Sequence, residues 1–90
     1  MHNKDNTFTW NKVVKQFIRS EMSKKSVDYK ELSLRLAQIG IAQTPDNLRS
    51  KINKGILGAQ LLLQMLLVLN VRRLDSELIQ EIWEDSRDKS

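Results

Sequence analysis

The sequence predicts an all-α protein, a compact bundle of about five helices around one core. Three observations carry that expectation. Apolar residues recur at steps of three and four through most of the chain, the spacing that places them on one side of a helix. Residues suited to start and stop helices punctuate those stripes. At 90 residues the chain has the size of one small domain, so all its helices must share a single interior. With 40% of residues hydrophobic and 29% charged, the composition lies near the globular average, away from disordered and membrane classes.

The first helix is read from Trp10, Val13, Val14, Phe17, Ile18 and Met22, which share one stripe. Thr9 is placed to cap it. Lys12, Lys15, Arg19 and Lys24 take the solvent side, and Lys24 and Lys25 suit the negative end of its dipole. Ser26 or Asp28 then offers a cap for a second short helix built on Tyr29, Leu32, Leu36 and Ile39, with Leu34 nearby, and Gly40 ends it.

The third helix is bounded on both sides by local signals. Thr44 is an N-cap type, Pro45 fits the first helical position, where no amide hydrogen is needed, and Asp46 complements the positive dipole end. Gly55 supplies the stop. Between them Leu48 and Ile52 point inward, whereas Asn47, Ser50 and Lys54 fall on the opposite side and Arg49 and Lys51 flank it.

A fourth helix, from Gly58 or Ala59 to Leu69, is apolar on nearly every side and is therefore expected to be buried all round, by the other helices and in part by a second copy. Leu74, Leu78, Ile79, Ile82 and Trp83 mark a fifth helix capped by Asp75 and followed by a charged tail from Glu84 to Ser90. Leu78, Ile82 and Trp83 on it are the candidate dimer interface, with Trp83 as the anchor.

Several function classes are disfavoured. There is no cysteine for a disulfide or a thiolate metal site, which suits a reducing cytoplasm. The first ten residues lack the apolar region of a signal peptide, and the stretch Leu61 to Leu69 is too short to span a bilayer, so no membrane role is expected. The single histidine, His2, leaves a Ser-His-Asp arrangement or a histidine metal site without members, and there is no phosphate-binding glycine loop. Glu77, Glu81, Glu84 and Asp85 gather carboxylates, but at a spacing that reads as the wet side of an amphipathic helix rather than a magnesium site. No enzyme, cofactor, metal or small-molecule substrate is expected. The charge is uneven: residues 1–60 carry 11 basic and 5 acidic side chains, a net of +6, and residues 61–90 a net of −2. A polyanionic partner is expected on the first two thirds.

Trp10, Glu21-Met22, Val27-Asp28-Tyr29, Leu32, Leu36, Ile39-Gly40, the run Asn47 to Ile52, Gly55 and Leu62-Leu63-Gln64 together resemble the DNA-binding domain of the lambda repressor and Cro superfamily, a helix-turn-helix fold. More closely, the chain is similar to a short bacterial family of unknown function that carries this domain. The stretch from Leu32 to Leu48 runs several residues longer than the compact repressor turn, and Leu57 and Leu61 stand where the closer family leads one to expect aromatics. The resemblance divides the chain into a flexible arm (1–8), the helix-turn-helix domain (9–71) and a C-terminal helix with its charged tail (72–90), a candidate dimerisation element.

What the resemblance implies is a sequence-specific double-stranded DNA-binding protein, a small transcriptional repressor acting as a homodimer, with the third helix in the major groove. Gln43, Thr44, Asn47 and Ser50 are then candidates for base edges. Arg49, Lys51 and Lys54 are candidates for guanine or phosphate, and Lys24, Lys25, Tyr29 and Lys30 for the backbone beside the groove. The competing expectation is a protein-binding regulatory module, inhibitor or antitoxin-like, docking through the fourth helix or Trp83. Missing apolar anchors among Asn47, Ser50, Lys51 and Lys54 favour DNA, whereas Asp46 disfavours it by repelling phosphate. An RNA partner is less favoured, because no aromatic platform for stacking bases is evident.

Overall fold

Five helices form in the computed structural model, which describes residues 2–88 and places side chains for residues 10–85. They are α1 (His2–Lys24), α2 (Tyr29–Gln38), α3 (Pro45–Lys54), α4 (Gly58–Val68) and α5 (Ser76–Asp88), and no strand occurs among the described residues. The backbone is helical from His2, so Thr9, expected as a cap, is an interior helical position, and residues 2–8, expected as an arm, continue α1. Among the described residues no helix is long and apolar enough to cross a membrane.

The first four helices close with one device. Ser26, Gly40, Gly55 and Asn70 each take a left-handed conformation, with φ of 56°, 84°, 68° and 61°. In every case that residue's N–H donates to the carbonyl three residues back, and the next N–H donates to the carbonyl five back, as in Val27 N to Met22 O at 2.8 Å and Val71 N to Leu66 O at 2.9 Å. This is the Schellman ending, and the residue after each is a β-branched aliphatic: Val27, Ile41, Ile56 and Val71. Such an ending turns the chain sharply; Val27 is buried by it and Ile41 and Val71 pack against the core, whereas Ile56 stays exposed. Ser26 therefore closes α1, and Asp28 caps α2 by accepting from Glu31 N.

The core is drawn from all five helices. Phe17, Ile18 and Met22 of α1, Leu32 and Leu36 of α2, Leu48 and Ile52 of α3, and Leu61, Met65 and Leu66 of α4 are buried together with Val27 and Leu69. Leu78, Ile79 and Ile82 of α5 close it from outside. Two polar contacts orient the frame. Glu21, itself buried, pairs with Lys24 at 3.0 Å, and Arg35 donates to Glu31 at 2.9 Å and to the Val68 carbonyl at 3.1 Å. The second gives the C-terminal end of α4 a cation, where the helix dipole favours one.

Three expected faces are seen within the single chain. Ile39, expected on the buried stripe of the second helix, is instead the C-cap of α2 and faces solvent, as Leu34 does. Within the single chain α4 is covered on one side, and Leu63 and Leu67 on the other stay 65% and 67% exposed. Trp83 stacks on Trp10, ring centroids 4.5 Å apart and planes 11° from parallel, within one chain. With Leu78 and Ile82 packed on the core, the surface foreseen for a second copy is already half-covered by the chain's own helices.

Candidate nucleic-acid interface

α3 is held at both ends before its outer face does anything. At its start, Thr44 Oγ1 accepts from Asn47 N at 3.0 Å, Pro45 occupies the first turn, and Ser33 Oγ of α2 donates to the Gln43 carbonyl at 2.6 Å. The long turn is thereby tied back to α2. At its end the constraint is steric. A Cβ on Gly55 would lie 2.1 Å from the Asn11 carbonyl oxygen of α1, so only glycine allows that approach and the left-handed φ together. Leu48 and Ile52, both fully buried, supply the apolar hold between these points.

The face left outside is polar. Asp46, Asn47, Arg49, Ser50, Asn53 and Lys54 are exposed. On a wheel of ~100° per residue Ser50 lies near its centre, with Asp46, Asn53 and Lys54 close beside it and Asn47 and Arg49 on opposite flanks. Asp46, expected to repel a polyanion, accepts from Arg49 Nη1 at 2.6 Å. The pair is exposed, which makes it weak and exchangeable, yet it masks the carboxylate while it lasts. The same guanidinium lies 5.4 Å from the centre of the Tyr29 ring, which joins the flank of α3 to the start of α2.

On the other flank Lys51 is half-buried and donates to Gln43 Oε1 at 3.2 Å. Both line an open cleft of about 390 Å³ with Leu57, Gly58, Ala59 and Gln60 at the start of α4. No side chain caps that start, so the amides of its first turn open beside an ammonium group. Lys51 and the positive end of α4 make this corner the part of the interface best suited to an anion.

The expected residues fall into two groups. Gln43, Thr44, Asn47, Arg49, Ser50, Lys51, Lys54 and Tyr29 are assembled on or beside α3. Lys24 and Lys25 instead line a separate cleft of about 630 Å³ with Arg72 and Arg73, and Lys24 is paired there with Glu21. Lys30 is exposed on α2. Two contributions escaped the sequence reading. Asn53, three residues after Ser50, shares its face, a signal the periodicity already contained. Arg72 and Arg73 reach the end of α1 only because Asn70 turns the chain back, and nothing local announces that.

Among the described residues no group of three or more His, Asp or Glu side chains is placed to hold a metal ion. The family model described as Domain of unknown function (DUF6471) matches residues 10–74, which run from within α1 to the linker before α5. No curated protein and no solved structure matches the chain significantly.

Proposed function

This chain belongs to that DUF6471 family, and from that premise we propose that it is a sequence-specific double-stranded DNA-binding protein, a small transcriptional repressor acting as a homodimer. The observation that carries the reading is α3 itself: a ten-residue helix fixed at both ends, whose outward face holds amides, a hydroxyl and cations, and whose one carboxylate is masked by Arg49. An α-helix, ~10–12 Å across with its side chains, fits the ~12 Å wide major groove. Asn47 and Asn53 can bond adenine edges, Lys54 and Arg49 can bond guanine or phosphate, and Lys51 with the first turn of α4 can hold a phosphate at the groove wall. Lys24, Lys25, Arg72 and Arg73 add a second basic site for backbone contact or electrostatic steering.

The test is fluorescence anisotropy with a duplex from upstream of the protein's own gene and a scrambled duplex, titrated over a range of salt. The reading expects tighter binding to the first, with log affinity falling by about 0.9 per phosphate contact against log salt. Equal affinity for both duplexes would remove sequence specificity. No binding to either near physiological salt would select the protein-binding module instead, a reading favoured by one observation, the exposed Leu63 and Leu67 of α4.

A further inference from the structure

We propose that the cleft between the end of α1 and the start of α5 is a binding site for a small phosphate-bearing anion, a phosphate monoester or a diphosphate. The inference does not rest on DNA binding by α3. Lys24 and Lys25 stand at the end of α1, Arg72 and Arg73 follow the left-handed turn at Asn70, and all four line one open cleft of about 630 Å³. That volume falls within the ~300–1,000 Å³ of small-molecule sites. Consecutive side chains of an extended segment point to opposite sides, and the bend at Arg73 goes with both guanidinium groups lining the same cleft.

Pairing within the chain answers only part of this charge. Glu21 is engaged by Lys24 at 3.0 Å, and Asp75 Oδ1 accepts from Leu78 N at 3.1 Å as the cap of α5. Lys25, Arg72 and Arg73 are exposed and make no ion pair among the described residues. One further carboxylate, Glu77, lines the cleft with them. Three cations brought together from two segments suit an anion of two or three charges, and guanidinium groups bond phosphate oxygens in pairs. A phosphate group offers them three acceptor oxygens, where a carboxylate offers two in one plane. A duplex backbone is the poorer fit, because it carries a charge every ~1.7 Å and would meet Asp75 and Glu77 along with the cations. A small anion can sit between the cations and leave those carboxylates to solvent.

The experiment titrates inorganic pyrophosphate into the full chain by calorimetry, with no DNA present and the ionic strength held constant with sodium chloride. The wild type should bind it saturably with a dissociation constant below about 1 mM, the scale of a few charge-assisted hydrogen bonds in water. Arg72→Gln combined with Arg73→Gln should weaken binding at least about tenfold. Lys51→Gln combined with Lys54→Gln, which removes the same two charges from α3, should leave it unchanged. Circular dichroism verifies that each variant folds, and Lys25→Gln and Lys54→Gln, both at exposed positions, form the matched pair if a double variant does not. A wild type that binds no pyrophosphate up to ~10 mM, equal weakening by the two pairs, or weakening by the α3 pair alone each overturns the proposal. If pyrophosphate does not bind while the arginine pair flattens the salt dependence of duplex binding, the cleft is a backbone contact and not a site for a free anion.

Discussion

α3 and α4 are neighbours of almost equal length, ten and eleven residues, and both bury a few aliphatics in the same core, yet they present opposite chemistry to solvent. α3 is capped by Thr44, stopped by Gly55 against Asn11, and outwardly polar. α4 has no side-chain cap and no charge, and leaves two leucines in water. The contrast teaches how one small bundle divides its labour. A helix fixed at both ends can hold polar groups in register for a polar partner, whereas a helix held by one side only keeps apolar area that another apolar surface can cover.

The glycines at the junction of these two helices should show the largest difference. Gly55→Ala meets both a left-handed backbone and the α1 carbonyl, and is expected to lower the unfolding free energy by about 3 kcal/mol or more. Gly58→Ala, at φ +73° but with open space around it, should lose only about 1–2 kcal/mol. Urea denaturation of the two variants checks this, and equal losses would mean that α1 does not set the end of α3. A smaller effect is expected at the cap: Thr44→Ala should cost about 1 kcal/mol by the same measurement. An unchanged stability there would mean that α3 does not depend on its starting turn.

What was legible in the sequence follows the same division. The ends of α3 were readable because their causes are local, Thr44 and Pro45 at one end and Gly55 at the other, and the same holds for the caps at Asp28 and Asp75. Ser26 was read as a cap when it is the left-handed ending of α1, since a non-glycine residue gives no compositional sign of positive φ. The exposure of Leu63 and Leu67 was hidden for a different reason: a uniformly apolar segment has no periodicity from which to tell its inner from its outer side. Tertiary proximity was illegible throughout. The Trp10–Trp83 stack joins opposite ends of the chain, and the cleft of Lys24, Lys25, Arg72 and Arg73 depends on a turn at Asn70. Within the candidate interface, Arg49 pairs with Asp46, the one residue that counts against a polyanionic partner, in an exposed and weak contact.

The central claim is that the exposed face of α3, and not its packing, carries the activity, and Asn47→Ala combined with Lys54→Ala tests it most directly. Both side chains are exposed, so the thermal midpoint should stay within a degree or two of the wild type, the usual behaviour of surface substitutions. Affinity for the upstream duplex should fall at least about tenfold, the scale of losing one base contact and one phosphate contact. Unchanged affinity at an unchanged midpoint would contradict the account and move the function of this protein from α3 to α4.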